Sequence, residues 1–199
     1  ALYDTQGLDA YQVQLSFDLK GPLDSNAMRQ AVAALLERHA NLRAGFEHEE
    51  LETPVQVILQ SVPLPWQEVD LTSLTGEEQA QALELQLTTD YAHRFDPAHA
   101  PLLRFTLIRL AERHYRLVLT HHHLLLDGWS MPVLLEELFT LYHNKGNEAI
   151  LPRVTPYRQY LTWLARQDRE AARSAWQEAL ADLEEPTCLA PAKSGEVAI

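Results

Sequence analysis

The sequence is poor in cysteine, in glycine and in positive charge. Its one cysteine, Cys188, stands in a proline-rich stretch near the end. That excludes a disulfide framework within the chain and agrees with a cytoplasmic setting. Cys188 also falls in an expected tail, away from any base, so it is not read as a nucleophile. Seven glycines are scattered along 199 residues. None builds a phosphate-cradling loop, and the chain itself is expected to bind no nucleotide and no cofactor. Sixteen Lys and Arg stand against 28 Asp and Glu, a formal net charge of −12. With no basic stripe to neutralise phosphates, nucleic acid is excluded as a partner and an anionic membrane surface is disfavoured. No run of about 18 apolar residues occurs, so nothing is expected to span a bilayer. The start, Ala1-Leu2-Tyr3-Asp4, has no initiator Met and no charged-then-apolar leader, and reads as a cut into a longer polypeptide.

What is present is an ordinary globular balance, 46% hydrophobic and 22% charged, enough at this length for one substantial core. Tyr11 to Leu19 alternates Val13, Leu15, Phe17 and Leu19 with polar residues, the period of a half-buried strand. Gly21-Pro22 breaks it, and Asp24 or Ser25 caps a helix near Ser25 to His39 that places Met28, Val32, Leu35 and Leu36 on one face. Strands are expected at Leu42–Phe46, Val55–Leu59 and Trp66–Leu71, and an acidic helix at Glu77–Phe95. Two adjacent strands follow, Leu103–Leu110 and Tyr115–His122. Further helices are expected at Val133–Tyr142, Tyr157–Ala165 and Glu170–Leu183, with Asp168 as a cap for the last. Strands in a run broken by helices at irregular intervals predict an α+β fold, a mixed sheet flanked by helices on one side. Residues 184–199 read as a linker.

The most unusual stretch is Thr120-His121-His122-His123-Leu124-Leu125-Leu126-Asp127-Gly128-Trp129-Ser130. An apolar strand ends in three histidines, and polar side chains in so apolar a setting need partners or a task. A metal site is one reading. On a strand only His121 and His123 would share a side, with Asp127 as a third ligand at best, whereas a catalytic zinc takes three protein ligands. Histidines satisfied in a core, with Asp127-Gly128 as a turn, are the second. The third is acyl transfer, in which an imidazole near the attacking amine or hydroxyl serves as base at neutral pH.

The string His122-His123-Leu-Leu-Leu-Asp127-Gly128-Trp129-Ser130 resembles the signature of nonribosomal peptide synthetase condensation domains: two histidines, three variable residues, then Asp-Gly. Arg38-His39-Ala40-Asn41-Leu42-Arg43-Ala44-Gly45-Phe46 resembles a second motif of that family. Phe95-Asp96-Pro97…Pro101-Leu102-Leu103-Arg104 and Tyr157…Tyr160-Leu161-Thr162-Trp163-Leu164 resemble two more, in the family's order. An epimerisation domain or a coenzyme A-dependent acyltransferase of the same superfamily, or a non-catalytic docking module, are the alternatives. Gly128-Trp129-Ser130-Met131-Pro132 and the Arg38–Phe46 match favour condensation.

The resemblance implies a chloramphenicol acetyltransferase-like lobe with a mixed, mostly antiparallel sheet. Residues 1–183 would be the N-terminal lobe of a condensation domain, and residues 184–199 would lead to a C-terminal lobe. It implies that His123 sits in a tunnel and deprotonates or orients the acceptor amine as it attacks the donor thioester. Asp127 would be structural, paired with Arg43 or, as second choice, Arg104. His122 would pack, Gly128 would let the loop pass close to the tunnel, and Trp129 and Ser130 would line it. No metal and no covalent acyl-enzyme is implied. Substrates would arrive on 4'-phosphopantetheine arms of donor and acceptor carrier domains, with an adenylation domain downstream, and the isolated lobe would be inactive.

Overall fold

The alternation that marks Tyr11–Leu19 as a strand also fixes which way its side chains turn. In the computed structural model, which describes residues 9–48 and 51–183, that strand is β1, Gln12–Lys20. Asp24 ends the break at Gly21-Pro22, its carboxylate accepting from the Ala27 amide at 3.0 Å, and α1 follows over Ser25–Arg38. A 3-10 turn, Ala40–Arg43, leads into β2, Ala44–Glu47, which pairs antiparallel with β3, Val55–Ile58. The strand expected from Leu42 therefore starts two residues later. β4 is Trp66–Asp70, α2 is Gly76–Ala92, β5 is Leu103–Ala111 and β6 is His114–His122. α3 covers Ser130–His143, three residues longer at its start than apolar periodicity alone predicts.

The main sheet has the order β1-β6-β5-β4. β6 pairs antiparallel with both β1 and β5, and β4 pairs parallel with β5. The mixed, mostly antiparallel sheet is as expected, but its helices are not confined to one side. Phe105, Leu107, Leu117 and Leu119 face α1 and α3, packing on Met28, Val32, Leu35, Leu134, Leu138 and Leu141. Ile108, Leu110 and Val118, one residue out of phase, face α2 through Leu83 and Leu87. β5 and β6 are buried at most positions on both faces, with adjacent apolar residues at Leu107-Ile108 and Leu117-Val118-Leu119, the mark of strands covered on both sides, and this corrects the one-sided expectation.

Gly45 is needed where it stands: a Cβ there would lie 2.8 Å from the Ala98 carbonyl oxygen. The close approach is held by the Phe46 amide, which donates to the Pro97 carbonyl at 2.7 Å.

The chain divides into two compact units between Pro156 and Tyr157, within the span expected as a single lobe. The second contains α4, Tyr157–Leu164, and α5, Arg169–Ala179. Asp168 caps α5, accepting from the Glu170 and Ala171 amides at 3.0 Å. Tyr160 stacks on Trp163 with ring centres 5.8 Å apart. The expected linker at 184–199, and Cys188 with it, lie outside the described residues. No described helix is long and apolar enough to cross a membrane.

Candidate active site

The histidines stand where β6 runs out between its two neighbours. Gln12 lies opposite His122, and Val13 and Leu103 lie opposite His121. Strand alternation then sends His121 to the α1/α3 face and His122 to the other. His121 is fully buried, its Nδ1 3.4 Å from the His122 carbonyl, and its ring meets that of His123 edge-on at 5.9 Å. Burial, reinforced by the neighbouring imidazoles against that carbonyl, holds its pKa below the ordinary histidine value. His122 is also buried. Its Nδ1 accepts the Leu124 amide at 3.1 Å and its Nε2 faces Asp9 at 3.6 Å. Burial lowers its pKa too, against the pull of the Asp9 carboxylate.

His123 is exposed. Its backbone amide donates to the Tyr11 carbonyl at 2.8 Å, which ties the loop to the residue before β1. Its ring Nδ1 donates to the Leu126 carbonyl at 3.0 Å. In the neutral ring this keeps the proton on Nδ1 and the lone pair on Nε2, at the opposite edge of the ring. Leu125 and Leu126 are buried in the α1/α3 core, so the carbonyl that orients the ring is itself anchored by packing. The resemblance implies a ring inside a tunnel; among the described residues the ring stands exposed.

Asp127 does not pair with Arg43. Its Oδ1 accepts from the Ser130 amide at 2.8 Å and the Ser130 hydroxyl at 2.7 Å, capping the start of α3. Those bonds hold its carboxyl below the usual carboxylate range. Arg43 is occupied elsewhere, donating to the carbonyls of Leu36, Glu37 and Leu59. The last turn of α1 leaves carbonyls without helical partners, and the guanidinium satisfies two of them. Arg104 is not the partner either. It pairs with Asp90 at 2.6 Å and lies 4.4 Å over the Phe95 ring. Burial opposes the Asp90 charge, but Arg104, Thr120 and Gln14 outweigh it and lower the pKa.

Around Gly128 a Cβ would meet nothing within 4 Å, so no close approach among the described residues demands glycine there. Trp129 is 89% exposed. Trp129 and Ser130 line a cleft of about 410 Å³ together with His39, Asn41, Leu126 and Asp127; His123 is not part of its lining. Among the described residues no group of three or more His, Cys, Asp or Glu is placed to hold a metal ion.

Sequence reasoning missed two acidic partners. Glu137 on α3 binds both Arg38, at 2.9 Å, and His39, at 2.5 Å, fastening α3 to the end of α1. A carboxylate beside the apolar stripe Leu134, Leu138 and Leu141 was the available signal. Asp9, the partner of His122, carried none, because it belongs to an irregular segment 113 residues away in sequence from the loop it contacts.

The family model described as "Condensation domain" matches residues 4–197. A protein of the linear gramicidin synthase of Brevibacillus parabrevis is 39% identical over 180 residues, covering 89% of this chain and 2% of that protein. Bacitracin synthase 3 of Bacillus licheniformis is 36% identical over 179 residues, again 89% of this chain and 3% of the synthase. The starter condensation domain of rhizomide synthetase RzmA superposes with a TM-score of 0.71 at 17% identity. That alignment covers 86% of this chain and 41% of that structure, a likeness of fold, and the chain spans well under half of the solved domain. The order of the motifs, the sheet with its histidine loop and the match from residue 4 to residue 197 agree: the chain belongs to the condensation-domain family.

Proposed function

We propose that this chain is the N-terminal lobe of a nonribosomal peptide synthetase condensation domain and that His123 acts on the acceptor amine. The observation that carries the reading is the bond from His123 Nδ1 to the Leu126 carbonyl. In the neutral ring it places the lone pair on Nε2, on an exposed loop, the arrangement a general base needs. In the reaction the acceptor amine attacks the donor thioester carbonyl and its proton passes to Nε2. The C–N bond forms, the C–S bond breaks, and the proton returns to the departing thiolate. Both thioesters arrive on phosphopantetheine arms, one from a donor and one from an acceptor carrier domain, and an adenylation domain lies downstream in the same cytoplasmic synthetase.

The openness of His123 supports a two-lobe site. A base that activates an amine beside a thioester works best with water excluded, and the remaining wall belongs to a C-terminal lobe. The isolated chain is therefore inactive in condensation. Trp129 and Ser130 contribute one flank of the substrate path, next to the cleft they line.

The test is amide formation between loaded carriers by the complete condensation domain. His123→Ala lowers turnover by about 10²–10⁴-fold while the protein still folds. Unimpaired product formation by that variant would make the domain a non-catalytic docking module. Equal turnover with free coenzyme A thioesters would assign it to the coenzyme A-dependent acyltransferases instead.

A further inference from the structure

The proposed role of His123 leaves the neighbouring His122 without a task beyond packing, yet its contacts are specific. Its Nδ1 accepts the Leu124 amide at 3.1 Å. An imidazole nitrogen that accepts carries no proton, so the ring hydrogen is on Nε2. That nitrogen is the one turned to Asp9, whose Oδ2 lies 3.6 Å away, beyond a direct hydrogen bond but close enough for a side chain only 10% exposed to favour a proton there. Asp9 is itself fixed: its other oxygen accepts the Tyr11 amide at 3.0 Å and its carbonyl accepts the Gln12 amide at 3.1 Å. The Tyr11 ring stacks on His122 at 6.2 Å, and the Tyr11 carbonyl receives the His123 amide.

His123 shows the opposite arrangement, with the proton on Nδ1 and Nε2 open. The turn between the two rings holds both. The Leu124 amide is drawn back to His122, the Leu125 amide donates to the His122 carbonyl at 3.0 Å, and the Leu126 carbonyl then comes within reach of His123 Nδ1. We propose that His122 and Asp9 are positioning residues, the pair fixing His122 as the Nε2–H tautomer so that its acceptance of the Leu124 amide shapes the turn that holds His123 in the Nδ1–H tautomer. The consequence for chemistry rests on the reading of His123 as the base; the tautomer assignment does not.

The test uses the complete condensation domain, labelled with 15N on histidine, at neutral pH. His122 shows a pyridine-like Nδ1 and a pyrrole-like Nε2, and His123 shows the reverse. His122→Asn places an amide oxygen where Nδ1 stood and keeps the His123 signature, whereas His122→Phe fills the space without an acceptor. Misplacing a reacting group by a fraction of an ångström to 1 Å costs up to about 10²-fold, so His122→Phe lowers kcat by about 10- to 100-fold with KM little changed, and His122→Asn recovers most of that loss. Asp9→Ala shifts His122 toward a mixture of tautomers. A protonated Nδ1 on His122 in the unaltered protein overturns the proposal, and so does a His122→Phe protein with an unchanged His123 signature and kcat. The unaltered protein decides the tautomers even if that variant fails to fold. If the tautomers are as stated but His123→Ala condenses normally, the base assignment falls and the positioning of the ring stands.

Discussion

Replacing Glu137 with leucine removes a carboxylate that Arg38 and His39 share. The Arg38 side chain is 7% exposed and that of Glu137 12%. Arg38 Nε lies 2.9 Å from one carboxylate oxygen, Nη2 3.4 Å from the other, and His39 Nε2 2.5 Å from the first. After the substitution Arg38 keeps the Pro152 carbonyl and a 4.0 Å contact with Glu148. Glu148 is largely exposed and does not replace a buried counter-charge. Stranding one charge of a buried pair costs about 3–5 kcal/mol. At about 2–4 °C per kcal/mol for a chain of this size, the thermal midpoint drops by roughly 6–20 °C. Adding Arg38→Met restores most of the loss, because two apolar side chains of similar volume substitute well for a buried ion pair. A double-mutant cycle followed by circular dichroism reads the coupling directly. The sign with pH is fixed as well. Burial raises the Glu137 pKa, but Arg38 and His39 outweigh it and hold the carboxyl below its ordinary 4.5. A carboxyl depressed in the folded state contributes stability that is complete above its unfolded pKa and is lost as pH falls through the folded one. The midpoints of the parent and Glu137→Leu proteins therefore converge only in acid, below about pH 4.5. A Glu137→Leu protein that melts within about 2 °C of the parent at neutral pH would refute the buried-pair argument.

Two glycines give opposite outcomes in the same melting assay. Gly45→Ala drives a Cβ to 2.8 Å from backbone oxygen and destabilises by about 1–3 kcal/mol, whereas Gly128→Ala, facing open space, leaves the midpoint of this chain unchanged; equal effects would contradict both assignments. Asp127→Ala removes an exposed cap from α3, so the protein stays soluble and loses far less stability than Glu137→Leu does. A loss as large as that of Glu137→Leu would mean that Asp127 is a partner in a buried ion pair after all.

Much of the frame is legible because it rests on periodicity. β1, α1, β5 and β6 appear where alternation, helical spacing and the cap Asp24 put them, and α5 starts at its cap Asp168 but ends at Ala179, four residues before the expected Leu183. The side of the sheet that α2 covers departs from expectation, although the adjacent apolar residues Leu107-Ile108 and Leu117-Val118-Leu119, which turn to opposite faces, carry that information. At the site, His121 and His123 do meet on one side, as alternation requires. The partner of Asp127 is the main error. A signature aspartate next to a motif arginine suggests an ion pair, but local geometry gives each a nearer partner. Asp127 finds the first amide of α3 three residues on, and Arg43 finds the carbonyls that α1 leaves free six and seven residues back. Short-range bonds of this kind close with little loss of chain entropy, so an expectation of long-range pairing has to compete with them.

The loop that presents His123 is thus held from three directions, and none passes through an arginine. The Tyr11 carbonyl holds its backbone amide, the packed Leu126 supplies the carbonyl for its ring, and the Asp127 cap on α3 fixes the far end. All three restraints lie within residues 9–130, on the end of β6 and the two segments that flank it. The geometry of the proposed base is therefore built into these residues, whereas the proposed enclosing wall is a separate matter. Separating orientation from enclosure gives each its own measurable sign. A change that loosens the loop acts on the His123 tautomer and on kcat, and a change in the opposing wall leaves the tautomer in place and acts on water access.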